Sequence, residues 1–411
     1  MNQNLHPGCR TWTRVSALLL VVLLAGYMER PSLASAQAPA ALNPSAGTPD
    51  ASPPGIVAWG DSLTVGDQGY IDQGTYPTEL ALRMGPTELA LRMGLRVVNE
   101  GVNAATPTQI GICEGGVPTN ATVAGGSIPA SGGVTVTFPD GWEPVTARGP
   151  ASGVSGSILG VGGLVTFDAT SSISTFTRTT PGEAVSAPGS LRFVVDNSYA
   201  NWLPVFWEGR NDIADVSRTL SDIAAQVQSV PAGQNYVILA NLNGNHSDEW
   251  IGGSDYEYIL TLNNQLAETY GRHYLDVRRM LISSYNPAQA TDVADVKHDD
   301  VPTSLRAIYA TATLGNAIGP EDTVLTIAHS SRGMQYGAIL TIDTGANAEN
   351  AFISTVSGDT VTVERNLGGH VTSHKAGAPL TESDLFHLNA KGYQIVADAV
   401  AQFLSAKTLG P

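Results

Sequence analysis

The chain is short of three things: cysteine, positive charge and long apolar runs. Its 411 residues include only two cysteines, Cys9 and Cys113. Cys9 lies in an N-terminal segment patterned like an export signal, so a mature chain keeps Cys113 alone and can form no internal disulfide. Stability must then come from burial. Glu114, next to Cys113, disfavours a thiolate, and a packed structural cysteine is expected there. Charged residues are 14% of the chain, with 21 Lys and Arg against 37 Asp and Glu and a formal net charge of −16. A surface this acidic repels nucleic acid and anionic lipid, which excludes both as expected partners. The apolar run at residues 15–25 is short for a bilayer span, so no stable membrane insertion is expected.

What is present begins with that N-terminus. Arg10 and Arg14 precede the apolar run, and Ala34-Ser35-Ala36 offers small residues for cleavage. Residues 1–36 therefore read as a signal peptide, and the mature protein as secreted or periplasmic. Cleavage would remove Arg10, Arg14, Arg30 and Glu29 and move the net charge from −16 to −18. Residues 37–54 are rich in Ala, Pro and Ser and read as a linker, with ordered structure starting at Gly55.

A hydrophobic content of 42% is that of a globular chain with a core, and the length allows two or three domains. Gly55-Ile56-Val57-Ala58-Trp59 reads as a buried strand, and residues 95–99 as a second. Between them, residues 77–85 are repeated letter for letter as residues 86–94. Nine residues advance a helix by about two and a half turns, and Gly85-Pro86 breaks the ladder at the junction. One copy is therefore expected to serve as a core helix and the other as an extension. Strands at 203–207, 236–240 and 274–277 alternate with helices at 216–230 and 256–270, the pattern of a parallel α/β sheet, and a helix over 390–404 closes it. Residues 113–199 and 307–380 differ in character. Short Val, Thr and Phe runs alternate there with turn residues and predict two β-rich insertions.

Gly60-Asp61-Ser62-Leu63-Thr64 follows the first strand and places a serine at the end of a sheet. Acyl transfer needs a nucleophile, a base and donors for the oxyanion. Ser62 is the nucleophile candidate and His387 the base. Asp384, three residues earlier, can face the same side on a tight turn and orient the imidazole. Asn211 can give an amide N–H to the oxyanion, and Gly101 a backbone N–H with no side chain to block approach. Arg210 is read either as a clamp for an anionic or carbonyl group or as half of a buried salt bridge. Asp212 is read as a cap for the next helix. Trp142 and Trp250, in loop contexts, are candidates for stacking on sugar rings.

Four ordered blocks carry a family resemblance: Gly60-Asp61-Ser62-Leu63, Asn99-Glu100-Gly101, Gly209-Arg210-Asn211-Asp212 and Asp384-Leu385-Phe386-His387, the last continued by Leu388-Asn389-Ala390-Lys391-Gly392-Tyr393. They resemble the blocks of the SGNH (GDSL-type) hydrolase superfamily over residues 55–112, 200–306 and 381–408. The resemblance implies a three-layer α/β/α core with a five-stranded parallel sheet, assigned here to 55–112, 200–306 and 381–411. It also implies a Ser62–His387–Asp384 triad and an oxyanion hole from the Ser62 N–H, the Gly101 N–H and the Asn211 side chain, with no metal and no organic cofactor. Where the family often has a second glycine, this chain has Asn103-Ala104. About seventy residues separate Pro302-Thr-Ser-Leu-Arg306 from Asp384.

The expectation from these residues is a secreted serine esterase, a carboxylic ester hydrolase acting on short acyl esters, with an acetylated glycan as a candidate substrate. The alternatives are an O-acyltransferase on the same triad and a glycan- or partner-binding protein with a vestigial site.

Overall fold

The computed structural model describes residues 54–66, 96–139, 142, 144 and 153–408. All of them fall within one compact unit spanning residues 52–411. The expected signal peptide, all but the last residue of the linker, and the duplicated segment at 77–94 lie outside the described residues.

The chain opens with β1 (Gly55–Gly60), α1 (Ser62–Val65), β2 (Arg96–Gly101) and α2 (Pro107–Glu114). Eight short strands follow: β3 (Thr119–Val123), β4 (Ser127–Ile128), β5 (Gly133–Thr137), β6 (Val154–Ile158), β7 (Val161–Asp168), β8 (Ile173–Arg178), β9 (Val185–Ser186) and β10 (Ser190–Val195). Next come β11 (Leu203–Trp207), α3 (Val216–Ser229), β12 (Val237–Leu239), α4 (Ser254–Tyr270), β13 (Tyr274–Leu275), α5 (Val277–Ser283) and α6 (Ala290–Lys297). The last part holds β14 (Arg306–Leu314), β15 (Val324–Ala328), β16 (Ile339–Ile342), β17 (Glu349–Ser357), β18 (Thr360–Leu367), β19 (Pro379–Leu388) and α7 (Ala390–Thr408).

β1, β2, β11, β12 and β13 form one sheet in the order β13-β12-β11-β1-β2, and every pairing in it is parallel. β1 and β11 are buried along their whole length, so both read as continuous apolar runs. Successive residues point to opposite faces. Ile56 and Ala58 join Val205 and Trp207 in a cluster with Leu281 of α5 and Tyr393 and Val396 of α7. Val57 and Trp59 join Phe206 and Ile238 in a second cluster with Ile110 of α2, Ile223 of α3 and Leu262 of α4. Each large apolar side chain fully buried in these clusters contributes roughly 1.5–3 kcal/mol.

Twelve other strands close into two six-stranded barrels, β10-β3-β5-β8-β7-β6 and β14-β15-β18-β17-β16-β19, and β4 pairs with β9. Their sequences alternate with period two. In Thr119-Asn-Ala-Thr-Val123 every second residue is buried. Val136, Val165, Phe176 and Phe193 fill the first barrel, and Leu325, Leu340, Ile353, Val361 and Leu380 the second. Closure leaves neither sheet an unpaired edge, which suits short strands that carry little burial each.

This corrects the expected fold class. A three-layer α/β/α parallel-sheet protein with two insertions does not describe the chain, because the antiparallel strands in closed barrels outnumber the parallel ones, and β14 and β19 belong to a barrel wall. The physical reason is that parallel pairing was inferred from strand–helix alternation. Runs of Val, Thr and Phe at two-residue period carry more strands per residue than that alternation does. The helices α2, α5 and α6 were not anticipated, and the expected strand at 274–277 ends at Leu275. Trp142 is no sugar platform: it is buried in the first barrel, edge-on to Phe138 at 4.7 Å. Trp250 is 9% exposed and stacked on His298 at 4.2 Å. Among the described residues no helix is long and apolar enough to cross a membrane.

The second barrel is fastened to the parallel sheet by Arg306, which is wholly buried at the start of β14. Its guanidinium pairs with Asp300 at 2.7 Å and donates to the carbonyls of Leu385 and Asn243. Removing the cation would leave Asp300 buried without its counter-charge, at a cost of roughly 3–5 kcal/mol. Arg306→Leu should therefore lower the urea midpoint, with the unfolding free energy in water falling by about that amount. Asp300→Leu added to it should recover part of the loss. Equal midpoints for wild type and Arg306→Leu would show that the pair does not hold the fold.

Candidate functional site

Three strand ends lie side by side: Gly60 of β1 is in register with Gly101 of β2 on one side and with Trp207 of β11 on the other. The loops leaving these strands form the floor of the site, the usual position for a ligand in a parallel sheet. Two of the glycines are demanded by close approach. A Cβ on Gly60 would meet Thr64 Oγ1 and the Trp207 carbonyl at 2.1 Å, and one on Gly101 would meet the Val65 nitrogen at 2.6 Å.

Ser62 opens α1 and is 7% exposed. Asp61 before it is the helix cap, with Oδ1 accepting the Leu63 N–H at 2.9 Å. Its Oδ2 accepts the Arg210 N–H at 3.2 Å, which draws the β11 loop onto α1. Burial pushes the Asp61 carboxyl up to about 6, opposed by the hydrogen bonds from Leu63 and Arg210 and by the charges of His387 and Arg210. Asp61 therefore lies within electrostatic reach of His387, and α1 packs against β19.

β19 carries Asp384 and His387. Asp384 Oδ2 meets His387 Nδ1 at 3.1 Å. Asp384 Oδ1 accepts the backbone N–H groups of Phe386 and His387, each at 2.7 Å, and the Tyr309 hydroxyl donates to Oδ2. Burial alone would raise the Asp384 carboxyl. The His387 charge and the hydrogen bonds from His387 and Tyr309 outweigh it and hold the group well below the usual carboxylate range. The aspartate stays ionised and orients the imidazole.

The other expected residues are engaged locally. The Gly101 N–H donates to Asn99 Oδ1 at 3.0 Å, and Asn99 Nδ2 donates to the carbonyls of Thr64 and Val65 at 3.0 and 3.2 Å. Asn99 thus ties β2 to α1, and the Gly101 amide belongs to that tie. Asn211 is exposed in a 3₁₀ turn (Arg210–Asp212), and its Nδ2 donates to the Ala105 carbonyl at 3.0 Å. That leaves the second amide hydrogen of Asn211 outside this bond. Arg210 makes the buried salt bridge rather than the clamp. Its guanidinium grips Glu249 at 2.5 and 2.6 Å and lies 4.7 Å from the Phe386 ring, which leans on the His387 ring at 4.6 Å. Asp215 rather than Asp212 caps α3, accepting the Arg218 N–H at 3.1 Å. Tyr309 and Glu249 escaped sequence reasoning because each reaches its partner across a strand pairing or a loop, with no local motif. Among the described residues no group of His, Cys, Asp and Glu is placed to hold a metal ion.

Behind the site lies a row of buried carboxyls. Glu208, directly after β11, is pushed well above its ordinary value by burial, against a 2.8 Å bond from Gln226. Burial raises Glu114 to about 7, against bonds from Ser229 and Gly116. The folded chain keeps protons on these groups at a pH where the unfolded chain has lost them, so stability falls as pH rises from about 4.5 to 7. Asp384 works the other way, but its contribution is lost only as pH falls below its ordinary 3.8. Calorimetric midpoints should thus decline from about pH 5 to about pH 8, and Glu114→Gln should flatten part of that slope. A midpoint that climbs over this range would contradict the account.

Comparison with known proteins bears on what the site is for. No family model matches the chain, and no solved structure matches it. Over 234 residues, 51% of this chain, it is 26% identical to the tail spike protein of Salmonella phage epsilon15, and the chain covers 21% of that protein's length. These findings overturn the esterase expectation. A secreted serine esterase, an O-acyltransferase on the same residues or a binding protein with a vestigial triad is not what the similarity supports, and the hydrolase, esterase and SGNH descriptors drawn from the four blocks fall with them. The similarity is to a tail spike protein, and the fold is dominated by antiparallel β-structure. The physical reason is that four short blocks specify little chemistry by themselves. Here the glycine amide and one hydrogen of the asparagine amide hold neighbouring loops together.

Proposed function

We propose that this chain engages a hydroxyl-rich polysaccharide at the sheet end where β19 meets the loops after β1 and β11, and that it does so outside the cell. The observation that carries the reading is the pairing of charge at this surface. Arg210 is matched by Glu249 and Asp384 by His387 and Tyr309. The exposed group at this end is the neutral Asn211 amide, with the Ser62 hydroxyl and the His387 ring buried nearby. Such groups recognise sugar hydroxyls better than ions. The net charge of −16 disfavours nucleic acid and anionic lipid, and the similarity to a phage tail spike protein supports a role at an exposed surface. The expected export signal at residues 1–36 agrees with that setting.

Affinity electrophoresis through gels containing acetylated xylan, deacetylated xylan, galactomannan or alginate tests the binding. At least one neutral polymer should retard the chain more than alginate does, and Asn211→Ala should weaken that retardation about tenfold, or about 1.4 kcal/mol. No retardation by any neutral polymer would overturn the reading.

A further inference from the structure

The loop at residues 329–337 runs over the outside of the second barrel and is stapled there. The Ser331 N–H donates to the Thr311 carbonyl at 2.8 Å, and the Thr311 N–H returns to Ser331 Oγ at 2.9 Å. The Gln335 N–H donates to Glu382 Oε1 at 2.5 Å, and the Gly337 N–H to the Ile353 carbonyl at 2.9 Å. A loop held at these points keeps its side chains in place at small entropic cost. Two of them face the surface. The Arg332 guanidinium lies 5.4 Å from the Tyr309 ring, whose hydroxyl donates to Asp384. Tyr336 is 53% exposed and sits edge-on to the half-buried Phe352 at 6.4 Å.

This aromatic pair continues towards the site. Phe352 is edge-on to His246 at 5.3 Å, and the His246 side chain is 27% exposed. The Asn245 N–H, one residue earlier, donates to the Leu385 carbonyl at 2.9 Å, which sets His246 beside β19 two residues from His387. Across the barrel wall Phe352 is in register with Ile339, and Ile339 with Ser383, the neighbour of Asp384. A strip of rings therefore runs from Tyr336 through Phe352 to His246 and ends at the candidate site. It is built from a loop, a barrel strand and the segment after β12, elements brought together only by the fold.

An exposed ring on a fixed loop, next to a site of neutral polar groups, is suited to the C–H face of a pyranose. An apolar partner protein would want a wider patch without hydroxyl-binding groups at its end.

We infer that Tyr336 and Phe352, with Arg332 at the margin, form a stacking subsite for a pyranose ring of the polymer chain beyond the unit that meets His387. The inference rests on the polysaccharide reading and adds to it a second point of contact on the second barrel.

The same gels, run with the full chain, separate the two. For the polymer that retards wild type, Tyr336→Ala should weaken retardation about tenfold, Tyr336→Phe should restore it, and thermal midpoints should be unchanged. The Tyr336→Ala chain should keep the wild-type chemical shifts of the His387 ring protons by NMR, because the subsite acts on binding and leaves the Asp384–His387 contact intact. Wild-type retardation that Asn211→Ala weakens and Tyr336→Ala does not would overturn the subsite and leave the polysaccharide reading standing. Failure of every polymer to retard wild type would overturn both.

Discussion

One buried cation holds the parallel sheet and the second barrel together. Arg306 is enclosed completely, at the point where the parallel-sheet segment becomes the first strand of the second barrel. It pairs with Asp300 before the barrel, with the Asn243 carbonyl after β12 and with the Leu385 carbonyl inside the Asp384–His387 segment. A lysine could not satisfy three such directions, since its donors sit on one compact head while the guanidinium is a planar fork. The fork thereby ties the segment that carries His387 to the loop after β12. Asn389 reinforces it, with its amide on the Ser304 carbonyl at 2.9 Å and its backbone N–H on Leu305 at 2.9 Å.

The barrels look peripheral along the chain and are not so in space. β19 is at once a wall of the second barrel and the carrier of Asp384 and His387, so the barrel cannot shift without moving the pair. Tyr309 repeats the coupling from β14, because its hydroxyl fixes the Asp384 oxygen that faces His387. Asp384 and His387 are therefore oriented by residues whose own positions are set by barrel closure. The first barrel is joined differently, through α2, which packs on α3 and β1, and through the apolar interior that Trp142 fills.

What could be read from the sequence follows the range of the interactions. β1 and β11 were legible because burial on both faces leaves no polar residue in either run. Some barrel strands, such as β5, β7, β17 and β18, were legible through their Val- and Thr-rich runs, while β14 and β19 were not read as strands. Barrel closure was not legible, since it depends on β10 meeting β6 and β19 meeting β14, pairings with no local signature. The same limit applies at the site. Asp384 and His387 are three residues apart and their contact could be anticipated, although the backbone there is a strand end with two N–H groups folded onto the carboxylate rather than a helical turn. Tyr309 lies 75 residues from Asp384, and Glu249 lies 39 from Arg210. Nothing short of the fold could pair them.

The scarcity of positive charge, visible from composition alone, acquires a structural meaning here. An acidic chain with few cations places several of them inside: Arg210 against Glu249, Arg306 against Asp300 and Arg365 against Glu349, all with side chains under 10% exposed. Each neutralises a carboxylate that burial would otherwise force to take up a proton. Cations used in this way are withdrawn from the surface, where they would attract phosphate or carboxylate ligands.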